Sequence, residues 1–237
     1  GRLDARRTLK SLVADLRVFK FWAGEQLAYM MPVGNGDLKA VLRKLIEDAD
    51  KEKHNFCMLG VCSNMRADLE AILPERFIFT EDRAYADYIY LRSDLATLKG
   101  KKFQAKRNHI NRFRNTYPDY EYTPITPDRI QECLDLEAEW CKVNNCDQQE
   151  GTGNERRALI YALHNFEALG LTGGILHVNG KIVAFTFGMP INHETFGVHV
   201  EKADTSIDGA YAMINYEFAN RIPEQYIYIN REEDLGI

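Results

Sequence analysis

The sequence predicts an α+β protein made of two similar mixed-sheet units, on three observations. Runs that alternate with period two, among them Val18 to Trp22, Gln26 to Val33 and Lys181 to Met189, interleave with segments whose apolar residues recur at helical spacing. A strand, helix, strand order occurs early and the pattern restarts in the second half. The run Gly24-Glu25-Gln26-Leu27-Ala28-Tyr29-Met30, ahead of a glycine loop and a helix, is echoed by Gly180-Lys181-Ile182-Val183-Ala184-Phe185-Thr186, ahead of one more strand, a glycine-containing loop and a helix.

Taken in order, Val18 to Trp22 turns through Ala23-Gly24-Glu25 into Gln26 to Val33 as a hairpin. Gly34-Asn35-Gly36 breaks the strand, and Asp37 is placed to cap a helix carrying Leu38, Val41, Leu42, Leu45 and Ile46 on one face. Phe56 to Val61 returns as a strand, a short helix from Arg66 to Leu73 stops at Pro74, and Phe77 to Phe79 and Tyr85 to Leu91 read as strands. The basic segment Lys99 to Arg114 reads as a helix, followed by a strand at Tyr120 to Ile125 and a helix opened by Pro127. Arg156 to Leu169 is a further helix with Leu159, Ile160, Leu163 and Phe166 inward. Leu171 to Val178, Lys181 to Met189 and Thr195 to Val200 form an antiparallel region whose Asn179-Gly180 turn is the strongest hairpin signal in the chain. A helix from Gly209 to Asn220 and a strand from Tyr226 to Asn230 close the walk. The expected division is 1–98 for the first unit, incomplete at its start, and 99–237 for the second, opening with the basic helix.

Bulk properties bound the function. A chain of 237 residues buries a sizeable core without disulfides or metal. A hydrophobic share of 45%, a charged share of 27% and a formal net charge of -5 exclude fibrous and disordered classes. No apolar run approaches the roughly 20 residues that cross a bilayer, and Gly1 to Arg7 lacks the apolar core of a signal peptide, so a cytoplasmic address is expected. Cys57, Cys62, Cys133, Cys141 and Cys146 contain no Cys-x-x-Cys pair and read as reduced, mostly buried thiols. Neither a Gly-x-Ser-x-Gly nor a His-Glu-x-x-His occurs, which argues against familiar hydrolases and zinc peptidases.

Against this acidic background, Lys99 to Arg114 holds seven Lys or Arg residues. With Phe103, Ile110, Phe113 and Tyr117 inward, Lys102, Lys106 and His109 line one flank and Arg107, Asn111 and Arg114 another, with Asn108 and Arg112 in the same stretch. Such a ridge suits a polyanionic ligand through charge and bidentate arginine contacts, whereas the plain alternative is a solvated helix face. A second candidate is Val200-Glu201-Lys202-Ala203-Asp204 followed by Ser206-Ile207-Asp208-Gly209-Ala210. There a strand end and the helix start at Gly209 offer an anion or oxyanion site, with Glu201 and Asp204 as reachable carboxylates for acid or base work; the alternative is an ordinary turn capped by Asp208. The third candidate is Tyr226 to Gly236. Alternation there sets Arg231 and Glu233 on one face and Asn230, Glu232 and Asp234 on the other, so that one face presents two carboxylates to an ammonium while Arg231 pairs with an internal acid or a phosphate. His177 and His199 are weaker candidates for lining a cleft.

Several of these runs recur together in a known family. Tyr88-Ile89-Tyr90, Leu95, Leu98-Lys99-Gly100-Lys101-Lys102, Lys106 to Phe113, Glu201-Lys202-Ala203 and Asn230 to Gly236 resemble, in order and spacing, the C-terminal domain of phosphatidylglycerol lysyltransferases. The resemblance covers the chain from about Val18, with residues before it fitting poorly. Members of the family continue past the position of Gly236 into a basic segment, and the membrane-spanning half of the lipid-modifying enzymes has no counterpart in this sequence, so a different acceptor stays open. It implies a tandem GNAT-like fold, related to the Fem-type aminoacyltransferases, and transfer of an amino acid from aminoacyl-tRNA to a lipid hydroxyl or an amine. No resident cofactor is then expected; the phosphate-bearing donor is a substrate, gripped by Lys102, Lys106, Arg107, Asn108, His109, Arg112, Lys202, Asn230 and Arg231, with Glu201, Asp204, Glu232 and Asp234 as the catalytic acids and Gly209 at the oxyanion. Two alternatives stand beside this reading. One is an acyl-CoA-dependent N-acyltransferase, disfavoured because Ser206 to Ala210 carries one glycine and an acid where that class needs several backbone donors. The other is a binding module that keeps the fold without catalysis. A membrane-surface lipid is a possible partner of the first reading.

Overall fold

The computed structural model describes residues 9–233 other than 24, 84–85 and 145–149. Asp234, Leu235, Gly236 and Cys146 therefore lie outside the described residues. The α+β class with two mixed sheets holds, and the chain separates into units Gly1–Asp82 and Arg83–Ile237. That division falls earlier than the expected break before Lys99, because the strand at Asp87–Leu91 pairs within the second sheet.

The first unit has strands β1 (Leu9–Val13), β2 (Leu16–Ala23), β3 (Gln26–Met30), β4 (Val33–Gly34) and β5 (Met58–Leu59), with helices α1 (Leu38–Lys51) and α2 (Ser63–Ile72). Their order is β1-β2-β3-β5, with β4 also paired to β2; β3 and β5 run parallel and the other pairs antiparallel. β1, which alternation did not reveal, closes onto β2 through Ala14 and Asp15, both at positive φ (47° and 64°), as a two-residue hairpin with that twist requires. Asp37 caps α1 as expected, its Oδ1 accepting from the Ala40 amide at 3.0 Å. Val41, Leu45 and Ala49 then pack on Leu27 and Tyr29, each large side chain contributing about 1.5–3 kcal/mol of burial. Phe77 to Phe79 does not form the expected strand. Its rings pack instead, Phe77 against Phe56 at 6.0 Å between centroids and Phe79 under the Arg66 guanidinium.

The second unit has a six-stranded sheet in the order β6-β11-β10-β9-β8-β7. The strands are β6 (Asp87–Leu91), β7 (Glu121–Pro124), β8 (Thr172–Val178), β9 (Lys181–Pro190), β10 (Thr195–Ala203) and β11 (Tyr228–Glu233). The helices are α3 (Arg92–Thr97), α4 (Gln104–Thr116), α5 (Ile130–Val143), α6 (Glu150–His164) and α7 (Ala210–Ala219). All neighbours are antiparallel except β10 and β11, which α7 joins as a crossover. One face carries α5 and α6, with Leu136, Leu159 and Leu163 against Ile175, Phe185 and Phe187. The other carries α4 and α7, with Ile110, Phe113, Met213 and Ile214 against Leu176 and Ala184. α7 is apolar nearly all round because it is sandwiched between the sheet and α4.

The basic segment differs from a single helix. A 3-10 turn at Lys101–Phe103 leads into α4, and α3 before it ends on Leu98 in the left-handed region. Phe103, Ile110 and Phe113 are nevertheless the buried keel that the spacing predicts. Of the described cysteines, Cys133 and Cys141 are buried and Cys62 is exposed, and burial pushes the Cys133 thiol up to about 12.

Candidate active site

The site begins where two strands part. β10 and β11 pair only through Thr195 to Gly197 and Tyr228 to Asn230, although β10 continues to Ala203 and β11 to Glu233. Beyond that point each strand has lost a neighbour and exposes side chains to the gap. β10 also contains a bulge between Val198 and Val200. One extra residue inverts the facing of everything after it. Phe196 and Val198 pack in the cluster under α3 and α7, and beyond the bulge Glu201 and Ala203, rather than Val200 and Lys202, take that face.

Glu201 consequently meets Arg231 across the gap, with Arg231 Nη2 donating to its Oε1 at 2.9 Å, while Asn215 of α7 donates to Oε2 at 3.1 Å. The Glu201 side chain is only 10% exposed. Its charge is tolerated there because both oxygens are hydrogen-bonded and one partner is cationic. Lys106 of α4 completes the group. Burial, then the positive charge of Arg231, holds its ammonium below the ordinary lysine range, with Glu201 opposing the shift. Its Nζ lies 5.9 Å from the centre of the Tyr90 ring, and among the described residues no carboxylate is within ion-pair distance of it. Glu201, Arg231, Asn215 and Lys106 thus make one polar cluster on the α4 and α7 face of the divergence.

Several other cations of the ridge are engaged elsewhere. Lys102 pairs with Asp94 at 2.7 Å. Arg107, expected to hold a ligand, donates to the backbone carbonyls of Leu98 and Gly100, the latter at 2.7 Å, and to Gln104 at 2.6 Å; it ties down the turn between α3 and α4. Asn108 accepts from Gln104 at 2.9 Å and is exposed. Arg112 and His109 both reach Asp208, at 2.6 and 3.3 Å. These bonds, Arg112 first, hold the Asp208 carboxyl below the usual carboxylate range. Asp208 is therefore no cap. Gly209 is the residue at the head of α7, at φ +84°, and a Cβ there would stand 2.7 Å from the His109 carbonyl oxygen. Glycine is what lets α4 lie against the start of α7. Asp204 accepts from the Ser206 amide at 2.8 Å and shapes its turn; among the described residues no side-chain bond joins it to the cluster.

On the opposite face, the expected alternation of the last strand fails. Asn230 donates to Asp87 at 2.6 Å and accepts from the Glu232 amide at 2.7 Å, and Glu232 sits at φ +60° in a bulge against β6. Glu232 is thereby turned onto His199, whose Nδ1 donates to its carboxylate, since a carboxylate can only accept. The neutral imidazole then keeps a lone pair on Nε2, which is buried and has no hydrogen-bond partner. Lys202 points to the α5 and α6 side, its Nζ 3.7 Å from the centre of the Trp140 ring and 2.8 Å from Glu155. Trp140 in turn donates to the Tyr211 hydroxyl at 3.1 Å.

Sequence reasoning missed Asn215, Tyr90 and the pairing of His199 with Glu232. Asn215 had a signal, being an amide on an otherwise apolar helix face. The histidine pair had none, because it depends on two bulges.

This geometry, a mixed sheet whose two parallel central strands part beside a crossover helix, defines a GNAT-like unit with a polar cluster in its opening. The family follows from the sequence: residues 12–236 match the model described as phosphatidylglycerol lysyltransferase, C-terminal, and the chain belongs to that family. The match begins ahead of Val18, taking in part of β1, so the early residues fit better than expected. Among solved structures, the chain is 96% identical to a conserved protein of unknown function from Bacteroides thetaiotaomicron VPI-5482, covering 97% of this chain and 78% of that one, with a TM-score of 0.92. It also resembles the C-terminal domain of a putative lysylphosphatidylglycerol synthetase from Agrobacterium fabrum, at 13% identity, 95% and 70% coverage and a TM-score of 0.67. L-PGS from Bacillus licheniformis is similar at 18% identity, 96% and 70% coverage and a TM-score of 0.62. None of the curated proteins matches the chain. Among the described residues, no helix is long and apolar enough to cross a membrane.

Proposed function

We propose that the chain transfers an aminoacyl group from aminoacyl-tRNA to an amine or lipid hydroxyl, at the divergence of β10 and β11. The observation that carries this reading is Lys106, a desolvated cation that has no ion-pair partner among the described residues and faces the Glu201–Arg231 pair at the strand opening. An ammonium without a carboxylate partner in such a place is held ready for an anionic ligand. Lys106 and Arg231 receive phosphate of the tRNA acceptor end, and the spare lone pairs of Glu201 face the aminoacyl ammonium. The ester is already activated, so positioning carries most of the rate enhancement. The acceptor nitrogen or oxygen forms its bond to the ester carbonyl carbon and gives up a proton in the same step. The bond from that carbon to the ribose oxygen then breaks, and the proton passes to the departing ribose hydroxyl. Weighing against an acyl-CoA donor, the head of α7 has the Asp208 carboxylate beside it and α4 backbone against Gly209.

The test offers the protein a mixture of charged tRNAs and, separately, acetyl-CoA, with an amine acceptor and with phosphatidylglycerol vesicles. Consumption of a charged tRNA that fails in the Lys106→Glu variant supports the reading. Consumption of acetyl-CoA alone, or no turnover with tight binding, replaces it by one of the two alternatives.

A further inference from the structure

The second sheet has another opening, at its opposite end. There the start of β8, the end of β9 and the start of β10 meet the C-terminal end of α7 around a cleft of about 530 Å³, within the roughly 300–1,000 Å³ of small-molecule sites. Its walls are apolar, with Phe196, Phe218, Ile222 and Tyr226 prominent. None of the residues proposed above for transfer lines it.

The polar part of the lining is what gives the cleft a chemistry. Arg221 stands half-exposed in the lining, its guanidinium carbon 3.9 Å from the centre of the Tyr122 ring, and Tyr122 also lines the cleft. Gly174 makes room for that ring, since a Cβ on it would fall 1.9 Å from the tyrosine oxygen. Arg221 donates through Nη1 to the Glu217 carbonyl at 2.9 Å and to the Glu217 carboxylate. That carboxylate is shared: Tyr120 donates to it at 2.8 Å and Arg114 lies 4.0 Å away. Two guanidinium groups over one carboxylate leave a unit of positive charge. Among the described residues, the Nε and Nη2 edge of Arg221 has no protein acceptor. An open guanidinium edge is the shape that takes a carboxylate through two parallel hydrogen bonds.

We propose that this cleft binds an apolar carboxylic acid, its chain or ring lying against Phe196 and Phe218 and its carboxylate on Arg221. A neutral or cationic amphiphile meets no acceptor-rich group at that position, whereas an acid cancels the surplus charge. The site does not depend on the transfer chemistry.

Calorimetry on the full chain tests it with decanoate and 2-naphthoate, which distinguish a chain from a ring, and with decanol as the uncharged control. At least one acid binds saturably, and decanol binds at least tenfold more weakly. Arg221→Gln reduces the acid at least tenfold, to the level of decanol, and leaves decanol unchanged; Glu217 keeps Tyr120 and Arg114, so the helix end stays formed. Thr172→Trp, at an exposed lining position, fills the cleft and abolishes binding of both classes while the melting temperature is kept. No saturable binding by either acid overturns the proposal, as does binding that survives Thr172→Trp. Loss in Thr172→Trp with no change in Arg221→Gln overturns the assignment of the acid.

Discussion

The two ends of the second sheet are open for different reasons. At one end β10 and β11 stop pairing, and the gap is filled with charge: Glu201 is 10% exposed, and Arg231 and Asn215 satisfy its oxygens. At the other end the strands stay paired and the opening lies between the sheet and the end of α7, lined by aromatic rings with one guanidinium. α7 spans about 15 Å between them and serves both, through Asn215 toward the first and Phe218 toward the second. The lesson is that an ion pair's importance depends on what its loss leaves behind. Arg231 is the sole cation in hydrogen-bond contact with Glu201 among the described residues, whereas Glu217 at the cleft has three partners.

The largest effect follows from that difference. Arg231→Met leaves the Glu201 carboxylate nearly buried without its cation, a class of change costing about 3 kcal/mol or more. For a chain of this size that lowers the melting temperature by roughly 6–12 °C. Arg221→Gln removes a half-exposed pair and costs about 1 kcal/mol at most. Thermal melts of the two variants side by side check the contrast; equal shifts would break it. Next comes Gly209→Ala. A non-glycine residue at φ +84° costs about 1–2 kcal/mol from the backbone alone, and the new methyl must also displace the His109 carbonyl. The variant should loosen α4 from the start of α7 and weaken tRNA binding, while acid binding at the cleft stays within twofold.

Lys106→Met sharpens the comparison further. Because the lysine is desolvated and repelled by Arg231, its replacement changes stability by no more than about 1 kcal/mol, in either direction. Charged-tRNA binding should nevertheless fall about tenfold, the worth of one charge-assisted contact. A large stability loss with unchanged binding would make Lys106 a structural residue and move the donor elsewhere.

Much of the architecture was legible because it rests on local chemistry. Asp37 at the head of α1, the Asn179-Gly180 turn and the keel of Phe103, Ile110 and Phe113 are each decided within a few residues. The strand that was expected at Phe77 to Phe79 was not decidable that way, since aromatic residues favour strands and packed clusters alike. The site was legible as composition but not as arrangement. Charge clustering on Lys99 to Arg114 is visible in the sequence, yet whether a given cation meets solvent, a carbonyl or Asp208 is set by the turn after Leu98 and by the approach of α4 to Gly209. Parity along β10 and β11 was lost for a sharper reason: one bulge in each strand reverses every facing beyond it.

The smallest expected effect bears on how the ridge divides between structure and ligand. Arg112 and His109 hold the Asp208 carboxyl below its ordinary value, so the folded state favours the ionised acid. The stabilisation is present above the ordinary aspartate pKa of about 3.9 and is lost as the pH falls through the lower, folded value. A carbon-13 titration of the Asp208 carboxyl should therefore give a midpoint under that of a free aspartate. Arg112→Ala should raise it, and His109→Ala should raise it less, because the arginine bond is the larger cause. A midpoint at or above the ordinary value in the native chain would mean that the carboxylate does not hold these two cations. They would then join Lys106 as charges available to a phosphate backbone, and the ridge would bind as a whole instead of through the one lysine that faces the strand divergence.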